Sequence, residues 1–136
     1  FNIDKTLTQL SENQIYQGRY SGEWGDNLFL PISISGVLEG VGSDRYKGPV
    51  FISAYFEPAF GAIDDNGSYD MKIIDGEITS FKYTQHAPDY RGGCPGLYQG
   101  TGAVDDIFNL TINYIGDDCD GHHIDGLMTL RRLWKD

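Results

Sequence analysis

Strict two-residue alternation in short runs, each closed by a turn signal, constrains this chain more than any other feature. Phe108 to Ile115 reads FNLTINYI, with Phe108, Leu110, Ile112 and Tyr114 alternating against Asn109, Thr111 and Asn113. Successive side chains on a strand point to opposite faces, so such a run has one dry face and one wet face. Residues 27–35 set Leu28, Leu30, Ile32 and Ile34 on one face, and residues 50–56 do the same with Val50, Ile52, Ala54 and Phe56. Residues 69–74 and 77–83 flank Asp75-Gly76, the strongest two-residue hairpin signal. Residues 17–24, 36–41, 98–104 and 126–134 complete a set of about eight or nine strands.

A helical period occurs only in residues 4–14, where Asp4 is the cap candidate and Leu7 and Leu10 share a face. The pattern predicts a short helical segment over residues 1–15, acting as a lid or plug, ahead of a β-domain over 16–136. The length of 136 residues fits a single domain. With 40% hydrophobic and 13% aromatic residues, the chain can build a packed core and is not disordered in type. No apolar run nears the roughly 18 residues of a membrane-spanning helix.

A meander of so many strands must manage its edges, and closure removes them. The expected fold is all-β: an antiparallel up-and-down barrel of about eight strands, with a two-sheet sandwich as the alternative. A barrel of that size holds its own side chains or one small ligand.

Ten basic against 20 acidic side chains give a net charge of −10. That argues against nucleic acid, whose phosphates need a basic surface. A cationic protein partner and a divalent metal stay open, as does plain solubility.

A two-residue turn at Asp105-Asp106 would set Leu97 opposite Tyr114. It would also place Cys94 and Cys119 nearly opposite each other, just past the far end of the hairpin. Cysteines so placed meet the Cα separation of about 5.5 Å that a disulfide needs. A Cys94–Cys119 bond is therefore expected, and with it an oxidising, secreted or periplasmic location. The same register turns Gln99 and Thr101 toward the side of Phe108 and Tyr114, making these four the interior candidates for holding a ligand. The competing reading is a buried Gln–Thr–Tyr hydrogen-bond set in a barrel too narrow for cargo.

Residues 116–126 read GDDCDGHHIDG. Asp118, Asp120, His122 and His123 offer the carboxylate and imidazole ligands that zinc or another first-row metal takes, although their spacing matches no standard site. A solvated acidic connection between strands is the other reading. Residues 64–70, DDNGSYD, fall short of a calcium loop because the glycine comes too early and no glutamate follows, so they read as a turn. No nucleophile elbow or phosphate loop is present, no cofactor is implied, and a non-enzymatic role is expected.

Gly22-Glu-Trp24 on the first strand is similar to the G-x-W signature of the calycin barrels, which include lipocalins, fatty-acid-binding proteins and avidins. Arg131-Arg132 on the last strand resembles the basic residue those families place near the chain end. The resemblance implies that Arg131 or Arg132 stacks across Trp24 and closes one end of the barrel. Trp134, two residues beyond Arg132, favours Arg132. In outline the chain looks like small secreted or lipoprotein-type bacterial barrels. That likeness implies a carrier with a small hydrophobic or amphipathic molecule inside. The alternative is a protein-binding module, such as a periplasmic inhibitor of a cationic lysozyme or a protease, toward which an acidic chain would be steered.

Overall fold

The alternating runs become eight antiparallel strands in the computed structural model, which describes residues 15–28, 31–53, 62–88 and 92–133. They are β1 (Gly18–Gly25), β2 (Ile32–Gly42), β3 (Arg45–Ser53), β4 (Ala62–Ile74), β5 (Glu77–Gln85), β6 (Gly96–Val104), β7 (Asn109–Asp118) and β8 (Gly121–Leu133). Each pairs with the next, and β1 pairs with β8, so the sheet is a closed up-and-down barrel without free edges. The expected barrel is observed and the sandwich is not. The helix expected over residues 4–14, and Trp134, lie outside the described residues. Among the described residues no helix is long and apolar enough to cross a membrane.

Several expected boundaries shift. Residues 27–35 and 36–41 contribute to one strand, β2, because Gly36 continues the inward row of Ile34 and Leu38. Its missing side chain makes room for the ring of Tyr69. Residues 64–70, expected as a turn, run within β4, where Gly67 pairs with Val50 and Gln85. Residues 116–126, expected as a loop, are mostly strand: β7 continues to Asp118, β8 starts at Gly121, and only Cys119-Asp120 turn. The Asp75-Gly76 turn is as expected, both residues at positive φ of 50° and 79°, as a two-residue hairpin of the right twist requires.

One register correction matters for function. Leu97 pairs with Asp117, three residues further along β7 than the expected Tyr114. The turn is longer than Asp105-Asp106 because the Asp105 carboxylate accepts the backbone N–H groups of Ile107 (3.0 Å) and Asn109 (2.9 Å). Phe108 sits within that turn at a φ of 62°. An odd slip reverses every side chain on a strand. Tyr98 and Val104 therefore face inward, whereas Gln99 and Thr101 are exposed on the outer wall.

The described interior is filled by large side chains. Tyr20, Tyr46, Tyr69, Tyr83 and Tyr98 are all fully buried, with Ile, Leu and Met side chains packed between them. Short turns 43–44, 75–76 and 105–108 sit at one end, where β1 begins. The opposite end carries the connection out of β1, the Cys119-Asp120 turn and Cys94.

Candidate functional site

The two barrel ends are built differently, and each gathers residues that the sequence marked. At the end where β1 begins, the Arg132 guanidinium carbon stands 3.6 Å from the centroid of the Phe108 ring. Arg132 also donates to the carbonyls of Ile15 (3.0 Å) and Gln17 (3.4 Å), and Tyr16 packs edge-on against both Phe108 and Tyr46. The hydroxyl of Tyr20 beneath them donates to the Tyr16 carbonyl at 2.6 Å, and burial pushes its pKa up to about 12 against the opposing pull of Arg132. Arg132 thus packs at a barrel end with Phe108 as its aromatic partner, and the expected stacking on Trp24 is not observed. The reason is register: Tyr20 pairs with Arg132 and Trp24 with Met128, four residues or roughly 13 Å along the strand. Arg131 is exposed on the outer wall, paired with Ser21 and Asn109.

Trp24 belongs to the other half of the barrel. Its ring meets Tyr98 at 5.2 Å and Tyr83 at 5.7 Å edge-on, and Tyr114 at 5.8 Å in a tilted contact. Its indole N–H is buried and makes no hydrogen bond among the described residues.

Beyond this aromatic group lies a buried carboxylate–imidazole–carboxylate array. His123 Nδ1 is 2.8 Å from Asp26 Oδ2, and His123 Nε2 is 2.8 Å from Asp118 Oδ1. The three side chains are 0%, 1% and 2% exposed. Both carboxylates have further donors. Tyr114 donates to Asp26 at 2.8 Å; Tyr98 donates to Asp118 at 2.6 Å, as do Gln85 Nε2 at 3.3 Å and the Asp120 backbone N–H at 2.8 Å. Gln85 in turn donates to the carbonyl of Cys94 at 2.9 Å. The predicted Cys94–Cys119 disulfide is present, with a Cα separation of 5.1 Å, and ties the segment just before β6 to the β7–β8 turn that follows Asp118.

The electrostatics follow from this geometry. Burial opposes a charge on His123, but the hydrogen bonds and charges of Asp118 and Asp26 outweigh it and raise its pKa above the ordinary histidine value. Burial likewise opposes ionisation of Asp118, and donors from Tyr98, His123 and the Asp120 backbone overcome it, lowering its pKa. Burial, then the adjoining carboxylate, raises Tyr98 beside Asp118 and Tyr114 beside Asp26 far above the usual phenol range. An imidazolium donates from both ring nitrogens, which is what two flanking carboxylates require.

The four metal-ligand candidates are not brought together as one set. His123 has a carboxylate on each ring nitrogen, and His122 is exposed with Nδ1 2.8 Å from Asp117. Asp118 and Asp120 do lie near the two sulfurs, yet those sulfurs are bonded to each other and are not thiolates. Of the four interior ligand candidates, Tyr114 is buried in the aromatic group, Phe108 is half-buried at the opposite end, and Gln99 and Thr101 are outside.

Asp26, Gln85 and Tyr98 are participants that the sequence reading missed. Simple alternation back from Met128 puts His122 inside. A bulge between Gly116 and Tyr114, with Asp125 at a φ of 55°, puts His123 there instead. The adjacent histidines were a signal that one of them faces inward, but periodicity could not say which.

Open grooves cross the outer wall of the described residues. One runs over β7, β8, β1, β2 and β3, one over β5 to β8, and a third lies beside Trp24 and Asp26, sharing Asp125 and Leu127 with the second. No protein-family model, no curated protein and no solved structure matches the chain.

Proposed function

We propose that this chain is a non-enzymatic, extracytoplasmic binding barrel that engages a cationic protein through its outer surface. The observation that carries the reading is the filled interior, in which five fully buried tyrosines take the space a carried ligand would occupy. A net charge of −10 supports a cationic partner, because complementary charge speeds and orients encounter. The Cys94–Cys119 bond supports a secreted or periplasmic location. The complete burial of His123 supports a structural duty for the Asp26–His123–Asp118 array, since a catalytic base must reach its substrate. Kinship with the calycins rests on the closed eight-stranded barrel and Gly22-Glu-Trp24.

The test is a pair of titrations on the intact protein. A cationic lysozyme, followed by calorimetry and by its lytic activity, should bind saturably and more weakly as salt rises. A fluorescent fatty acid should show no stoichiometric uptake. Uptake of the fatty acid without any lysozyme binding would favour the carrier reading.

A further inference from the structure

We propose that the partner docks on the outer wall around Leu127, through an apolar residue set between basic ones; this rests on the functional reading above. Leu127 on β8 is 47% exposed, and its partner across β1 is Gly25, which has no side chain to cover that flank. On the other side Leu127 pairs with Asn113 of β7, and Ile115, 56% exposed, lies diagonally beyond. Two large apolar side chains thus stand on an open wall where two grooves meet.

The charged side chains nearest Leu127 are acidic. Asp125 precedes Leu127 by two residues, and Glu23 lies on β1 opposite Thr129, so the two carboxylates bracket the leucine. Among the described residues neither carboxylate makes an ion pair or a side-chain hydrogen bond. The nearest cations on the groove walls are Lys82 on β5, three strands from Leu127 and two from Ile115, and Arg131, four residues along β8 from Leu127 and diagonal to Glu23 on its far side. A lysine or arginine of a partner would meet, at Glu23 and Asp125, carboxylates that no cation among the described residues already pairs. The apolar centre supplies hold, and the acidic rim supplies orientation and speed of encounter. A second copy of this chain is a poorer occupant, since it brings the same acidic rim against itself.

The experiment titrates a cationic lysozyme into the wild type and three variants, with melting curves confirming that each is folded. E23K/D125K should weaken binding by about tenfold or more, and L127S should weaken it by a similar order. The control E39K/E77K makes the same change in net charge at exposed positions elsewhere and should lose no more than about threefold. Equal losses in the two double variants, or full binding by both E23K/D125K and L127S, overturn the surface while leaving the functional reading standing. Concentration-dependent dimerisation of the wild type that L127S abolishes also overturns it, in favour of self-association. Absence of wild-type binding overturns the functional reading, and the surface with it.

Discussion

His123 Nε2 lies 2.8 Å from Asp118 Oδ1 with both side chains almost wholly shielded from water. The pair fixes how stability varies with pH. The folded pKa of His123 is raised, so its contribution is complete below the unfolded value of about 6.5 and is lost as pH rises through the folded value. The folded pKa of Asp118 is lowered, so its contribution is complete above the unfolded value of about 3.9 and is lost as pH falls through the folded one. Stability should be highest between roughly pH 4 and 6.5 and decline on the alkaline side. Urea unfolding across this range checks it. His123→Gln should flatten the alkaline decline and lower stability throughout, by about 3–5 kcal/mol at pH 5, because two buried carboxylates lose their cation. An alkaline slope unchanged in His123→Gln would count against the assignment.

Phenol ionisation gives an independent reading of the interior. Tyr20, Tyr46, Tyr69, Tyr98 and Tyr114 all have raised pKa values, with burial the largest cause in each. Ultraviolet titration of the native protein should therefore leave Tyr20, Tyr69, Tyr98 and Tyr114, four of the nine tyrosines, protonated at pH 10.5, with Tyr46 ionising later than a free phenol. The missing absorbance should appear together with unfolding at higher pH. Smooth titration of all nine near pH 10 in folded protein would mean an open, hydrated interior.

The disulfide should matter more than its position at a turn suggests. It closes a sequence separation of 25, worth about 3.5 kcal/mol by the loop-entropy relation. Reduction also frees the turn next to Asp118, so the alkaline and acid limits above should draw closer together. Denaturant curves with and without reductant test this, and a difference below about 1 kcal/mol would contradict it.

How much of this was legible in the sequence differs from element to element. Asp75-Gly76 and the runs around Met71 and Phe81 were, because turn chemistry and alternation agreed there. The disulfide was legible despite a wrong register: Cys94 was expected opposite Asp117, the true pairing of Leu97 with Asp117 carries it toward Asp120, and Cys119 lies between the two. Gln99 and Thr101 were misplaced by that same error, since a cysteine pair tolerates a slip of three and a side-chain face does not. The length of the β6–β7 turn depends on where the Asp105 carboxylate finds its donors, and alternation carries no record of that. The His123 array was illegible for a related reason. Asp118 faces His123 across the β7–β8 hairpin, but Asp26 and Gln85 come from distant parts of the chain, and only barrel closure brings Asp26 to His123.

Barrel closure itself is testable through additivity. Trp24 and Arg132 stand about four residues apart along the β1–β8 ladder, in separate clusters, whereas Arg132 and Phe108 are in direct contact. Sites without shared partners contribute additively, and touching ones do not. Trp24→Ala should cost about 3–5 kcal/mol, since it empties volume among Tyr83, Tyr98 and Tyr114. Combined with Arg132→Ala, its effect should add to within about 0.5 kcal/mol. The cycle of Arg132→Ala with Phe108→Ala should instead show a coupling of about 0.5–2 kcal/mol, the range for a guanidinium over an aromatic face. Arg132→Lys should keep only part of that coupling, because an ammonium lacks the flat guanidinium that stacks on the ring. Chemical unfolding of the single and double variants supplies every number in both cycles. Coupling between Trp24 and Arg132, with none between Arg132 and Phe108, would restore the tryptophan as the arginine's partner and would require a different register between β1 and β8.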